Sequence, residues 1–172
     1  LATAAFRDFG NVTSAGVNGV LPFETLSQSS RRTSLVISEI MYHPTNTLLE
    51  FVEIFNTRGE PEDLSGYKLR GDADYNFPPG TVIPGGGLVV VAKSPVDLQS
   101  TYGITGVLGP FTNSLPNDGG TVKLINQSGG VFLQVDYSDN PPWPVAPDGT
   151  GHSLVLARPS YGENDPRAWA AS

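Results

Sequence analysis

The sequence predicts an all-β protein, a sandwich or barrel of about eight or nine short strands. Runs of β-branched and aromatic residues recur along the chain, and clusters of glycine, proline and asparagine separate them, as turns require. The 20 glycines and 15 prolines among 172 residues indicate many turns and few long helices. Strands do not alternate with helices, so a parallel doubly wound sheet is not expected.

The first half of the chain carries the clearest strand signals. The run 35–42 is β-branched and aromatic and stops at His43-Pro44, and the run 50–56 stops at a turn over 57–59. The run 88–92 is apolar throughout, which favours a central strand. Shorter strands between these runs are predicted at 67–70, 75–77 and 81–83.

The second half contains the one predicted helix, over 95–102, with Pro95 near its start and Gly103 after its end. The clearest hairpin joins two strands through the turn 126–130. The tail from 158 onward is predicted to be irregular, with Trp169 as an anchor. Strands in this half are predicted at 106–111, 120–125, 131–137 and 152–157.

The chain divides into an arm and a domain. Residues 1–33 are rich in Ala, Gly, Ser, Thr and Asn, which is typical of a linker or of the tail of a preceding domain. Residues 34–172 hold all the regular strand signals. The chain starts at Leu1 without a signal-peptide pattern, and we interpret it as a piece of a longer protein.

Composition excludes several partners. The formal net charge is −7 and the ten basic residues are scattered, which argues against nucleic acid and against an anionic membrane surface. No apolar run approaches the ~18 residues of a spanning helix, so no membrane insertion is expected. The chain has no cysteine, which excludes disulfides and thiolate metal sites.

Several motifs in order resemble those of one known family. Val-Ile-Ser-Glu-Ile-Met-Tyr-His-Pro at 36–44 precedes Glu-Phe-Val-Glu-Ile-Phe-Asn at 50–56. In order and spacing, these segments and those that follow resemble a bacterial lamin tail domain over about 34–172. The following segments are 63–69, 77–81, 83–92, 115–120, 148–154 and 164–169.

The resemblance implies an immunoglobulin-like antiparallel β-sandwich. Bacterial members are extracytoplasmic modules of large multidomain proteins, sometimes beside hydrolase or nuclease domains, and nuclear lamins use the domain as a platform for proteins and DNA. The family has no shared catalytic site. We therefore expect a non-enzymatic interaction or attachment module, secreted or at the cell surface. It would contact a protein or other domains of the same chain, or act as a spacer between domains.

Glu39 and Glu53 are the first candidates for chemistry, because each lies within an apolar strand. Alternation predicts that Glu39 shares a face with Leu35, Ile37 and Met41, and Glu53 with Phe51 and Phe55. If the two strands are neighbours, the carboxylates approach each other and one pKa rises. One interpretation is a general acid/base or glycosidase-like pair in a hydrolase. The other is structural: each carboxylate is bound by backbone amides or by Lys or Arg, or is exposed at a sheet edge. We favour a structural role.

A second set gathers an acid, an imidazole and a hydroxyl at Asp148, His152 and Ser153. A triad requires the imidazole to bridge the other two, but neighbouring residues on a strand point to opposite faces. His43 and His152 without cysteine make a weak zinc set. Structural calcium has loop candidates, although we expect solvated acids and no catalytic, cofactor or metal site. The calcium candidates are Asp72 with Asp74, Asn117 with Asp118, and Asp148.

Aromatic residues in the second half suggest an alternative function. An exposed set of coplanar rings would make a carbohydrate-binding accessory module beside a hydrolase domain. Trp143 lies between prolines, which is also a common way to close one end of a sandwich, and we favour that structural interpretation. The candidates for the aromatic platform are Tyr137, Trp143, Tyr161 and Trp169.

Overall fold

The computed structural model describes residues 34–172, and these form a two-layer antiparallel β-sandwich. The predicted linker over 1–33 lies outside the described residues. The strands in chain order are β1 (Leu35–Met41), β2 (Phe51–Asn56), β3 (Glu62–Asp63), β4 (Lys68–Gly71), β5 (Tyr75–Asn76), β6 (Val82–Ile83), β7 (Leu88–Ala92), β8 (Gly119–Ile125), β9 (Val131–Ser138), β10 (Leu154–Leu156) and β11 (Trp169–Ala171).

Two sheets form the layers. The larger sheet has the order β11-β10-β1-β2-β7, and the smaller sheet has the order β5-β4-β8-β9. Strands β3 and β6 form a separate antiparallel pair. Ile83 in β6 and Leu64, the residue after β3, are both buried. One α-helix, α1 (Pro95–Tyr102), follows β7. No helix within residues 34–172 is long and apolar enough to cross a membrane.

The predicted all-β sandwich is confirmed, with three corrections. The described residues form eleven strands rather than eight or nine, and two of them were not predicted: β3, which has only two residues, and β11, which lies in the tail that was expected to be irregular. The strand predicted over 106–111 is wrong: this segment makes only an isolated bridge from Leu108 to Val91. The last long strand is shorter than predicted and covers only Leu154–Leu156. The helix is confirmed at its predicted bounds.

The core lies between the two sheets. Alternation along β2 turns Val52 and Ile54 inward, and alternation along β8 turns Val122 and Leu124 toward them. All four side chains are fully buried, and burial of apolar area at roughly 25 cal/mol per Å² is the main source of stability. Trp169 on the last strand packs in the same cluster.

A β-bulge in β1 decides which face each later side chain occupies. Ile37 pairs with Ile54 and Glu39 pairs with Glu53, so Ser38 is an extra residue without an opposite partner. The extra residue reverses the alternation, and Ile37 and Ile40 both point into the core. The prediction that Glu39 shares a face with Leu35 and Ile37 is therefore wrong. Glu39 points outward on the face of Met41.

The outer face of the larger sheet is partly covered by α1. The helix buries only Leu98, against the smaller apolar cluster on this face. Ser94 is the N-cap residue, but its hydroxyl donates to the Asp97 side chain and makes no side-chain bond to the helix backbone. Gly103 ends the helix in the left-handed region at φ 66°. Residues packed in this cluster are Met41, Leu49, Phe51, Ala92 and Leu98.

Candidate functional site

A pocket of about 310 Å³ opens on the outer face of the larger sheet, beside α1. Such a volume lies at the lower end of ligand pockets, which span roughly 300–1,000 Å³. Because α1 covers only part of the sheet, the pocket forms where the helix and the residues after it meet β1 and β2. Its apolar walls are Met41, Phe51, Val90, Leu98, Tyr102 and Ile104.

Two carboxylates lie side by side on the sheet wall of this pocket. Glu39 on β1 is directly opposite Glu53 on β2, and opposite residues on one face have Cβ atoms about 5 Å apart. The Ser38 hydroxyl donates to Glu53 Oε1 at 2.6 Å. The Ser153 hydroxyl donates to Glu39 Oε1. The bulge residue and the start of β10 therefore each hold one member of the pair.

The electrostatics of the pair follow from this placement. Burial raises the pKa of Glu39, the hydrogen bond from Ser153 opposes that rise, and the neighbouring Glu53 charge adds to it. The prediction that the carboxylates approach and raise one pKa is confirmed. The predicted holding groups are wrong, because the donors are serine hydroxyls rather than backbone amides, Lys or Arg. The sheet-edge alternative is also wrong, since β1 and β2 lie inside the sheet.

The pair is better suited to binding than to bond cleavage. A glycosidase pair flanks the scissile bond, with one carboxyl acting on the leaving group and the other on the sugar carbon. Here both carboxylates lie on one wall of the sheet, and the facing wall from α1 and Ile104 is largely apolar. The arrangement offers hydrogen-bond acceptors and negative charge at one side of an apolar space.

The acid, imidazole and hydroxyl of the second predicted set have separate partners. Asp148 Oδ1 lies 2.6 Å from His43 Nδ1. His152 Nδ1 contacts the Ser172 carbonyl, and Ser153 donates to Glu39. The imidazole of His152 therefore bridges neither of the other two, and the three residues do not have the arrangement of a triad.

Two of the metal candidates, Asp72 and Asp74, accept hydrogen bonds from protein donors. Asp72 accepts from the Thr121 N–H at 2.6 Å, and Asp74 accepts from the Asn113 side chain at 3.3 Å. Asn117 and Asp118 lie in the turn that precedes β8. Across residues 34–172, no three histidine or acidic side chains come together as a ligand set.

The aromatic candidates are mostly internal. Tyr137, Trp143 and Trp169 are buried in the main core, where the two indole rings lie 6.0 Å apart. The Trp169 indole donates to the Glu163 carbonyl at 2.8 Å. Tyr161 alone of the four is exposed, at 53%. Trp143 is buried, as its structural interpretation requires, and the predicted exposed platform is wrong.

Sequence reasoning missed three buried polar side chains, Glu50, Asn56 and Glu163. Glu50 and Asn56 bond segments that are distant in the sequence, and Glu163 bonds only its own backbone, so no local pattern marks the three. Glu163 is 5% exposed, and its Oε1 has no hydrogen-bond partner within the described part of the chain. Burial therefore raises the pKa of Glu163, with a bond to its own backbone opposing the rise.

Replacement of Glu163 by glutamine is expected to stabilise the protein at neutral pH. The raised pKa favours the neutral carboxyl in the folded state, so this group's stabilising effect is complete below its unfolded pKa and is lost as pH rises through the folded pKa. Glu163→Gln should gain on the order of 1 kcal/mol at pH 7 and nothing near pH 4. Urea unfolding at both pH values measures this gain. The exposed Glu60→Gln is the control, and an equal gain at both pH values would contradict the prediction.

The comparison with protein families matches residues 28–139 to the lamin tail domain. This match spans β1 to β9, including the two neighbouring strands that carry Glu39 and Glu53. Strands β10 and β11 lie beyond it and complete the larger sheet. No curated protein matches the chain.

Proposed function

The chain belongs to the lamin tail domain family, and from this premise we propose that it is a non-catalytic module that binds a protein partner within a larger exported protein. The family resemblance drawn from the motifs is thereby confirmed, together with the immunoglobulin-like fold. Domains of this family are generally interaction modules. The exported location and the multidomain parent are proposed from the bacterial members whose motifs this chain resembles.

The pocket on the outer face of the larger sheet is the observation that supports binding. Its apolar walls and paired carboxylates form a concave surface with a few convergent polar groups, which is the usual make-up of a recognition site. Side chains in the core between the two sheets are buried and cannot contact a partner. The pocket instead depends on the bulge in β1, which turns Glu39 outward, and on α1, which forms one of its walls.

A non-catalytic role is supported by how the reactive side chains are used. Ser153, the hydroxyl of the candidate triad, donates to a carboxylate rather than to an imidazole. His43 and His152 contact different partners. A nucleophile needs a base within hydrogen-bond reach, and among residues 34–172 the hydroxyls of Ser38, Ser153 and Ser172 have no imidazole partner.

The partner is proposed to be a protein rather than nucleic acid or glycan. The net charge of −7 repels phosphates. Stacking of sugar rings needs exposed aromatic faces, and only Tyr161 among the candidates offers one. Binding of a protein partner, or of another domain of the same chain, does not require exposed aromatic faces.

Parallel binding and activity measurements on the full 172-residue chain test the proposal. Selection from a displayed peptide library should enrich peptides that bind saturably, while a glycan array should give no hits. Glycoside, ester, peptide and phosphodiester substrates should remain uncleaved. Substrate turnover that disappears in the Glu39→Gln/Glu53→Gln double variant would overturn the non-catalytic assignment. Glycan binding without peptide binding would overturn the choice of partner.

A further inference from the structure

We propose that the pocket beside α1 receives the side chain of an arginine presented by the protein partner. This inference rests on the proposed function and specifies the chemistry of its recognition site. It follows from the charge of the pocket, the unused acceptors on its carboxylates, and the apolar surface at its rim.

The charge of the pocket is negative and uncompensated. Glu39 and Glu53 line it, and none of the described lining residues is Lys, Arg or His. Two half-buried carboxylates placed opposite each other repel, and like charges directly opposite on a sheet destabilise it. A cation seated between them removes that repulsion, so charge complementarity favours a basic group.

The acceptors that remain free suit a guanidinium. Each carboxylate uses Oε1 to accept from a serine, and within residues 34–172 neither Oε2 accepts a bond from a protein donor. Arginine carries five N–H donors in a rigid planar fork, which can reach acceptors on two neighbouring strands at once. A lysine ammonium is a compact and strongly hydrated charge, so leaving water for a half-buried site costs it more.

The apolar walls fit the rest of the side chain. Val90, Tyr102 and Ile104 line the pocket with accessible apolar surface and offer it to the aliphatic stem of an arginine. Tyr102 offers an aromatic face at the rim, where guanidinium groups often stack. Tyr102 and Ile104 are 50% and 40% exposed, so residues flanking the arginine in a protein partner would cover them. A free amine would leave this rim exposed.

A metal ion fits the pocket poorly. Calcium takes 6–8 oxygen ligands, and the carboxylates and serines here face an apolar wall on the opposite side. Magnesium requires near-octahedral geometry and keeps several waters, which an apolar wall does not favour. The lining therefore complements an organic cation.

Titration of the full chain with short peptides tests the inference. The probes are acetyl-Leu-Arg-Leu-amide and the same peptide with lysine or with uncharged citrulline at the centre. Nuclear magnetic resonance shifts of residues around the pocket report binding. We expect the arginine peptide to bind, the lysine peptide to bind several-fold more weakly, and the citrulline peptide to bind at least about tenfold more weakly.

Two double variants separate the pocket from the overall charge. Glu39→Gln/Glu53→Gln should weaken arginine-peptide binding about tenfold or more, because the isosteric amides keep the shape but lose the charge. Glu60→Gln/Glu62→Gln removes the same amount of charge from the start of β3 and the turn before it, and it should leave binding unchanged. Thermal unfolding of both variants checks that each is folded.

The outcomes distinguish this inference from the proposed function. If library selection enriches peptides without basic residues, and their binding ignores Glu39→Gln/Glu53→Gln, the protein-binding function stands and the arginine pocket is wrong. If the arginine and citrulline peptides bind equally well, the pocket does not distinguish a charged side chain from an uncharged one, and the inference is overturned. If neither the library nor the arginine peptide binds, both proposals fail.

Discussion

Replacement of Asn56 by alanine is expected to lower the free energy of unfolding by about 3–4 kcal/mol. The side chain of Asn56 is fully buried at the end of β2. Its Nδ2 donates to the carbonyls of Glu60, Ile83 and Pro84, at 2.7, 3.3 and 3.2 Å. Its Oδ1 accepts from the Arg58 N–H at 3.1 Å. Alanine removes all four bonds and leaves the buried Ile83 carbonyl and the part-buried Glu60 and Pro84 carbonyls without this donor.

Asn126→Ala is the matched control for this prediction. Asn126 also bonds backbone groups, from Ser128 and Gly130, but it does so in an exposed turn where water replaces the lost acceptor. We expect this control to cost about 0.5–1 kcal/mol. Urea unfolding of both variants gives the comparison. Equal losses for the two substitutions would show that the buried amide contributes no more than an ordinary turn bond.

The surroundings of Asn56 explain why so much depends on one amide. The turn after β2 and the turn before β7 approach so closely that a Cβ on Gly85 would lie 1.9 Å from the Gly59 carbonyl oxygen. No side chain fits between these two turns, and the Ile83 carbonyl that Asn56 reaches beside them is buried. A buried donor must therefore reach in from the end of β2, and an asparagine at that position provides it.

The local parts of the fold were predictable because their causes are local. The hairpin of β8 and β9 follows from the turn at Asn126, and the helix over Pro95–Tyr102 follows from a proline at its start and a glycine after its end. Burial of Trp143 followed from its flanking prolines. Each of these depends on residues within a few positions of one another.

The candidate site was predictable only in part. Apolar runs around Glu39 and Glu53 marked them, and their approach followed once the two strands were adjacent. The bulge at Ser38 has no sequence signature, and without it Glu39 would point into the core. The donor from Ser153 is 114 residues away from Glu39, and the wall from α1 depends on how the helix folds back. Long-range packing sets these features, and periodicity does not report it.

Glu50 is another residue whose role depends on long-range packing, because its partners come from distant segments. It is 2% exposed, and its Oε2 accepts from the Leu115 N–H at 3.0 Å. Lys93 Nζ lies 3.8 Å from the same oxygen and also donates to the Asn113 carbonyl at 2.8 Å. Burial raises the pKa of Glu50, and the bonds from Leu115 and Lys93 oppose that rise. This carboxylate thus ties the long segment before β8 to the larger sheet.

Glu50→Ala is expected to cost about 2–4 kcal/mol, because it leaves the Leu115 N–H without its acceptor and the Lys93 ammonium without its counter-charge. Glu50→Gln keeps an acceptor for Leu115 and should cost about half as much. Glu60→Ala, on the exposed turn, should change stability by less than about 0.5 kcal/mol. Urea unfolding at pH 7 ranks the three variants, and hydrogen exchange of the Leu115 amide should accelerate in Glu50→Ala first. A protected Leu115 amide in that variant would show that the segment is held by its buried Phe111 and Leu115 side chains alone.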